Sequence, residues 1–568
     1  MKLASPLQSG AEARRDLLVL VVLSAFAVCF VAWPILGPRL AIGHDAYAYP
    51  PRVVEWLQSA REGAWPRWAP DLSRGHGQPL FVYSPFVFYA VSGALASVVD
   101  DVGLAINLAL VGFLFFGAVA FAVTCRSFGL DVFVAPFALL CAPWILVDLY
   151  VRSALAELAA ICLFPLALFG LSTKQRWPFG VAGLGLAVAT HFPSAMILLP
   201  VFVAVSFARA FAVKARWPLV SAAVAMGGAA LASAAVWVPP LWHSDAAQLA
   251  RAASAYTDFR VHFLELGQLV LGDWGFGLSV PGPDDGFSFA LSPLALGSGL
   301  VVVASKDRWL RTLGVTAIVL SLMATTVSAP LWELVPALGR VQFPWRFLMA
   351  PTVLLALSLA AVPSLFAHGL FGSRISFEHK RTVARILLII GIVGFALPKV
   401  QPPSLEPVDP ELLDPRSMAS KRIVTTIAEE FEPVGVSRPE PPWNEIARLR
   451  SGTASVRLVR RTATRIELAI DAAAPSTLAL SVHDFPTWRG SDQSVELSTE
   501  PETGLVSLRV PAGARSLVLE LEPTPAERAA RVVSCATLAG FVLVGGLRRS
   551  AKKRASDRGD GARDAVGQ

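Results

Sequence analysis

Charge is scarce in this chain. Asp, Glu, Lys and Arg make up only 16% of its 568 residues, against 54% hydrophobic, and the mean hydropathy is +0.56. That balance is the composition of a polytopic membrane protein. Nucleotide-handling motifs are missing too. There is no Walker loop, no GxGxxG after a strand, no GxSxG elbow and no HExxH. Their absence argues against a nucleotide-driven or ABC-type machine, so the substrate should arrive from the lipid or from the outer space. The five cysteines, Cys29, Cys125, Cys141, Cys162 and Cys535, all fall in or beside apolar runs. No CxxC or Cys/His ligand spacing occurs, which argues against a disulfide framework or zinc site and leaves small packing residues. The net charge of +7 implies no nucleic acid, because the basic residues sit in short loops between apolar runs.

What is abundant is apolar sequence long enough to cross a hydrocarbon core of ~30 Å. The first run, 17–36, follows Arg14 and Arg15 and has no small-residue cleavage site behind it, so it reads as an uncleaved helix. Further runs lie at 102–124, 131–149, 155–171, 178–190, 194–211, 218–240, 287–304, 310–329, 343–366, 384–400 and 527–547. The segment 81–99 is ambiguous. Placed in the interface rather than across the bilayer, it leaves about twelve transmembrane helices that obey the positive-inside pattern. Arg126, Lys174, Arg176, Arg209, Lys214, Arg216, Lys306, Arg308, Arg311, the cluster Arg374–Arg385 and the tail Arg548–Arg554 then all become cytoplasmic, with both termini.

This topology divides the chain into a helical bundle over 1–400, an extracytoplasmic segment over 401–525 and a final helix with a basic tail over 526–568. The long first outer loop is 37–101. From Ser455 the middle segment alternates with period two through 455–459, 465–470, 477–482, 505–510 and 516–521, with Gly and Pro between the runs. About six short strands, hence a small β-sandwich, are expected there. The fold class is therefore mainly α, a polytopic bundle carrying an extracytoplasmic β-sandwich-like domain before its last helix.

The candidate chemistry lies in the outer loops. Gly43-His44-Asp45 is followed by Arg52, Glu55, Trp56 and Trp65-Pro66-Arg67-Trp68. Asp45 fits a general base or a cation ligand; a capping aspartate satisfied by backbone amides is the plainer alternative. Arg52 and Glu55 are three apart and can share a helical face. The tryptophans suit an interfacial belt, with sugar stacking as the sharper reading. In the next loop, Asp148, Arg152 and Glu157 cluster at the edge of apolar helices, where a carboxylate is costly unless paired or functional. Arg152–Glu157 is the obvious structural ion pair. His191 occupies a short turn, as a hydrogen-bonded turn residue or a catalytic one. Arg346, behind Phe343-Pro344-Trp345, opens an apolar helix, where a guanidinium can grip a phosphate or snorkel to headgroups. The loop His483–Trp488 packs on its own sandwich or the bundle, or touches carbohydrate.

At these residues the chain resembles the membrane glycosyltransferases of the GT-C fold. More narrowly, it is similar to the bacterial polytopic family called PTPS-related or YfhO-like. The matching pieces are Gly43-His44-Asp45 with Arg52 and Glu55, Pro66-Arg67-Trp68 with 75–81, Tyr83 with Pro85, 150–152 with Ala156-Glu157, His191, and Phe343–Arg346. The resemblance implies catalytic carboxylates at Asp45 and at Glu157 or Asp148. It places substrate-binding roles on His44, Arg52, Arg67, Arg152, His191, Trp345 and Arg346. It implies an interfacial helix before the second span and a polyprenyl-phosphate sugar donor. Where many relatives carry His four residues after the Asp, Tyr49 stands here. That puts metal dependence in doubt; a divalent cation, if used, would sit on Asp45 and Glu157. The expected reaction is transfer of a sugar from a polyprenyl phosphate to an extracytoplasmic glycan, lipid or protein at a bacterial cytoplasmic membrane. A transporter or flippase for lipid-linked saccharides, or a non-catalytic assembly protein, is the rival. It would call for charges deep in helices or inverted repeats with broken helices, and neither is clear in this sequence.

Overall fold

The computed structural model describes residues 10–369 and 376–543, apart from 421, 422, 424, 425, 427 and 542. The basic tail beyond 543 and the start of the Arg374–Arg385 cluster lie outside the described residues.

Mainly helical, the chain carries five helices long and apolar enough to cross a bilayer: 17–35, 102–127, 192–213, 344–367 and 377–399. A sixth crossing results if 217–232 and 234–242, bent by 68° at Ser233, count as one. These make it a multi-pass membrane protein. The other apolar runs are shorter or broken. The run 131–149 divides into Ala135–Leu140, Pro143–Leu146 and a π-helical turn Val147–Val151. The helix in 155–171 has 15 residues and the one in 287–304 has 11. Apolar composition counts side chains, whereas Pro143 and the π turn interrupt the helix itself.

The elements that position the site are α1, Gly10–Ala32; α2, Tyr49–Arg61; α3, Val87–Val99; α4, Val102–Ser127; α5, Leu155–Phe169; α6, Trp177–Thr190; α7, Phe192–Val213; α8, Trp217–Ala232; and α9, Ala234–Trp242. Helix α3 has 13 residues, about 20 Å at 1.5 Å each, against a hydrocarbon core of ~30 Å. Asp101 starts α4 by accepting the Leu104 N–H at 2.8 Å. Helices α4 and α5 approach closely because Gly117 faces Cys162: a Cβ on Gly117 would lie 2.8 Å from the Cys162 Cβ. At the end of the bundle bearing the basic loops, buried Asp131 receives Arg385 at 2.8 Å and Arg381 at 3.3 Å.

The C-terminal part is a β-sandwich of eight strands rather than about six. They are β1, Ala447–Ser451; β2, Ala454–Arg461; β3, Arg465–Ala472; β4, Ser476–His483; β5, Trp488–Gly490; β6, Glu496–Thr499; β7, Leu505–Val510; and β8, Gly513–Leu521. One sheet runs β2-β3-β8-β5 and the other β1-β4-β7-β6. Period two is plain in β3, where Ile466, Leu468, Ile470 and Ala472 are buried and Glu467, Ala469 and Asp471 are not. A two-residue ribbon, Leu40–Ala41 with Leu405–Glu406, ties the first outer loop to the linker before the sandwich. A helix from 525 onward returns the chain to the bundle.

The loop 62–79 is stitched to the sandwich. Trp68, 1% exposed, packs between Phe485 and Trp488 at ring distances of 6.1 and 5.8 Å. Buried His76 meets the Ser481 hydroxyl through Nδ1 at 3.1 Å and the Pro441 carbonyl through Nε2 at 3.1 Å. His483 donates its backbone N–H to the His76 carbonyl at 2.8 Å. Gly77 has φ +76°, and a Cβ there would come within 2.2 Å of the Trp68 indole nitrogen. The Gly75-His76-Gly77 stretch is therefore a dock for the β-domain.

Candidate functional site

The site grows from a backbone splice between the loops 37–48 and 148–154. Gly43 donates its N–H to the Ser153 hydroxyl at 3.0 Å, and Ser153 donates that hydroxyl to the Ala41 carbonyl at 2.9 Å. His44 and Asp45 donate their N–H groups to the carbonyls of Val151 at 3.1 Å and Arg152 at 2.9 Å. So close an approach requires glycine: a Cβ on Gly43 would lie 2.5 Å from the Val151 oxygen. Asp45 is exposed, and its side chain makes no capping hydrogen bond to the short helical turn it precedes. Its carboxylate is thus not spent on the backbone.

Beneath this splice the charges converge. Arg152, 4% exposed, is held on three sides. Its guanidinium grips Glu157 in a fork, Nη1 to Oε1 at 2.8 Å and Nη2 to Oε2 at 3.0 Å, and also pairs with Asp148. Its planar group lies 4.8 Å from the Trp345 ring centre and 5.5 Å from that of Trp144. Burial works against its charge, but Glu157 and then Asp148 more than offset that, and its pKa is raised.

Arg346 enters from the Phe343–Leu348 turn. Its Nη1 donates to the Val341 carbonyl at 3.0 Å, its Nε lies 3.9 Å from Glu157 Oε2, and that Nε is buried with no hydrogen-bond acceptor. It therefore keeps donor capacity that Arg152 has committed. Arg52, on α2, donates to the Tyr89 hydroxyl at 2.7 Å. His191 caps α7 by accepting the Ser194 N–H on Nδ1 at 3.3 Å, which leaves Nε2 as the protonated nitrogen. Burial pulls its pKa down to about 3, so the ring is neutral. The charge of Asp45 acts on Arg52, Arg152 and Arg346 alike.

A third loop, 243–286, covers the assembly. His44 Nε2 lies 3.3 Å from the Phe276 carbonyl, and its ring lies 5.7 Å from Phe287. Trp345 donates its indole N–H to the Ser279 hydroxyl at 3.2 Å. His44, Asp45, Arg52, Arg152, Glu157, His191, Trp345 and Arg346 thus come together. Arg67 does not join them: it pairs with Glu527 at 2.8 Å on the far side of the loop, beside the sandwich. Glu55 turns toward Asp71, whose N–H it accepts at 3.0 Å. Tyr89, Trp144 and Ser279 complete the cluster. Only Tyr89, an aromatic with a hydroxyl inside the ambiguous 81–99 run, carried a local signal.

A divalent cation does not fit these donors. Both oxygens of Glu157 are taken by Arg152. Tyr49, where a histidine was expected, is buried and accepts the Ala156 N–H at 3.2 Å, so it fixes the start of α5. Among the described residues, no group of three or more His, Cys, Asp or Glu side chains is arranged for a metal.

No family model and no curated protein sequence matches the chain, so the YfhO-like resemblance gains no support there. Solved structures do show similarity. The arabinofuranosyltransferase AftD from Mycobacteria matches 71% of this chain at 14% identity with a TM-score of 0.41. ArnT from Cupriavidus metallidurans, bound to undecaprenyl phosphate, matches 71% at 14% identity with a TM-score of 0.36, over 75% of its own chain. An oligosaccharyltransferase from Archaeoglobus fulgidus, tethered to an acceptor peptide, matches 69% at 14% and 0.37, over 55% of its own chain. The chain spans 28% of the length of AftD. At this level the likeness concerns the path of the chain alone.

Proposed function

We propose that this protein is a membrane glycosyltransferase of the GT-C type. It transfers a sugar from a polyprenyl-phosphate donor to an acceptor on the extracytoplasmic face of a bacterial cytoplasmic membrane. The observation that carries the reading is the splice of 43–45 onto 151–153. It sets an uncommitted carboxylate, Asp45, over a buried cluster in which Arg346 keeps a spare donor.

In the reaction, the acceptor oxygen attacks the anomeric carbon and forms the new C–O bond. The bond from that carbon to the phosphate oxygen breaks, and the polyprenyl phosphate leaves with its electron pair. Asp45 takes the acceptor proton. Arg346 meets the charge growing on the phosphate. Arg152, saturated by Glu157 and Asp148, is a positioning residue that holds Glu157 and the Trp345 ring in place. His191 is neutral and presents Nε2–H as a donor. No step runs through a metal. The shorter apolar helices complete about twelve crossings, both termini are cytoplasmic, and the sandwich stands outside.

The test is a glycan profile of the cell envelope by mass spectrometry in a deletion strain, complemented with wild type and with Asp45→Asn. Loss of one sugar in the deletion, restored only by wild type, supports transfer. Full restoration by Asp45→Asn overturns it. Accumulation of an unflipped lipid-linked saccharide would favour the transporter.

A further inference from the structure

Of the six tyrosines, five spend their hydroxyls inside the protein. Tyr47 donates to Glu406, Tyr83 to the His243 carbonyl and Tyr150 to the Val31 carbonyl. Tyr49 accepts the Ala156 N–H, and Tyr89 accepts from Arg52. The sixth, Tyr256, lies in the loop that covers the charge cluster. It is 41% exposed, and no described residue hydrogen-bonds its hydroxyl.

The turn that carries Tyr256 is fixed to the segment that carries Arg346. Buried Thr257 donates its hydroxyl to the Ala252 carbonyl at 2.6 Å and accepts the Ser254 N–H at 2.8 Å. Gln342 donates its side-chain amide to the same carbonyl at 3.1 Å, and its amide oxygen accepts Arg346 Nη1 at 3.4 Å. His262, also buried, bonds the Tyr256 carbonyl through Nε2, and its ring meets Phe343 at 4.8 Å. The Tyr256 ring meets Phe343 edge to face at 5.8 Å. The Arg346 guanidinium lies 5.1 Å from the centre of that Phe343 ring, and Trp345 stacks on it at 4.7 Å. Backbone and ring thus hold the phenol in place, and its hydroxyl is left over.

The charges acting on that hydroxyl locate it. They are Asp285 in its own loop, and Arg152 and Asp45 in the cluster. Burial and then Asp285 push its pKa up, so the proton stays on and can be donated. In the reaction proposed above, Asp45 stands at the acceptor oxygen and Arg346 at the phosphate. The sugar in transfer fills the space between them. A hydroxyl on a ring that packs with Arg346 on Phe343, and reached by the field of Asp45, stands beside that sugar. It is donor and acceptor at once, which suits a sugar hydroxyl; a phosphate would call for a cation.

We infer that the Tyr256 hydroxyl hydrogen-bonds a hydroxyl of the transferred sugar and so helps to select which sugar the site accepts. The inference rests on the glycosyltransferase reading. A site that bonds a substrate hydroxyl rejects a sugar that lacks it, because the protein's own polar group is then left unpaired.

The test uses the full-length protein in phosphatidylcholine nanodiscs and two kinds of probe. One is farnesyl phosphate; the other is farnesyl phosphate carrying glucose, galactose, mannose or arabinose on its phosphate. The quantity read is the sugar increment, the ratio of the two dissociation constants. Wild type should bind at least one of the four sugar probes more tightly than farnesyl phosphate. Tyr256→Phe, which keeps the ring, should cut that increment by roughly three- to tenfold, the net worth of one hydrogen bond. Its affinity for farnesyl phosphate should not change. One deoxy derivative of the preferred sugar should be bound by wild type as weakly as the parent is by Tyr256→Phe, with no further loss when the two are combined. Arg346→Gln should weaken both kinds of probe and keep the increment. An unchanged increment in Tyr256→Phe overturns the contact. So does an equal loss for both kinds of probe, which is what a displaced loop would give. A wild type that holds farnesyl phosphate but gains nothing from any sugar overturns the contact and leaves the phosphate site standing. A wild type that holds no probe brings down the glycosyltransferase reading itself, and the contact with it.

Discussion

The Asp45 N–H donates to the Arg152 carbonyl at 2.9 Å, joining the two loops that carry most of the site's charges. The contact is backbone to backbone, so it fixes the spacing of the two side chains without using either. It depends on Gly43, two residues earlier. Gly43→Ala should force the loops apart, since its Cβ would meet the Val151 oxygen at 2.5 Å. Overpacking of that kind costs about 1–3 kcal/mol. The variant should insert and fold, melt lower, and lose sugar transfer out of proportion to its stability. Transfer measured on detergent-purified protein at a temperature where both forms are folded checks this; wild-type turnover would show that the splice does not set the site.

Asp45→Asn keeps the shape and removes the base. Because the side chain makes no capping bond, the substitution should leave the melting temperature almost unchanged. Transfer should fall by about 10²–10⁴-fold, the usual contribution of a general base. Donor binding should persist. A variant with wild-type turnover would return Asp45 to a structural role.

The cluster was legible in part. Arg152 and Glu157 are five residues apart at the rim of an apolar helix, and their pairing follows from the cost of burying either alone. The nearness of Asp45 and Arg346 rested on both loops facing outward. Arg67 shows where such reading stops. In sequence it belongs with Trp65 and Trp68, next to the site motifs; in the fold it turns away to Glu527, 460 residues later. No local pattern encodes that partner. The breaks within the apolar runs were hidden for a related reason. Hydropathy registers apolar side chains in 131–149, but the helix there breaks at Pro143 and widens into a π turn, which is what aims Asp148 and Arg152.

Arg346→Lys should be markedly worse than wild type. The guanidinium spends Nη1 on the Val341 carbonyl and keeps Nε for a ligand. An ammonium cannot serve both directions at once. Slower transfer or weaker donor binding with normal membrane insertion is expected. Equal affinity and equal turnover would leave Arg346 as an anchor.

The dock between the first loop and the sandwich should respond to pH. Glu55 Oε2 and Asp71 Oδ2 are buried without hydrogen-bond partners. Burial raises both acids, the Asp71 charge adds to the shift on Glu55, and Asp71 is pushed up to about 6. A raised carboxyl pKa means that the folded state holds a proton the unfolded chain would release near 3.8. This pair therefore contributes most at low pH, and its contribution falls as pH rises toward about 6. Asp71→Asn cannot ionise. It should melt higher than wild type at about pH 7, with the gap closing toward about pH 4. A pH-independent gap would mean that the acid is not what titrates.

The reading of the site as extracytoplasmic rests on 81–99 not crossing the membrane. Three exposed positions sample the consequence. Ser254 lies in the loop covering the cluster, Ser498 on the sandwich, and Thr173 in the basic turn before α6. Single cysteines placed there, in a background without the five native ones, should divide cleanly on intact cells. An impermeant thiol reagent should label Ser254→Cys and Ser498→Cys, and should reach Thr173→Cys only after the membrane is opened. The reasoning is geometric: α5 leads from the cluster at Glu157 to the turn at 170–176, and α6 leads back to His191. If Thr173→Cys labels in sealed cells while Ser498→Cys does not, the whole assignment is inverted, and the site would face the cytoplasm with its nucleotide sugars. If all three label, the helix pair α5–α6 does not reach the inner face. The buried charges would then lie in a re-entrant hairpin, and the lipid-phosphate depth assigned to Arg346 would be wrong.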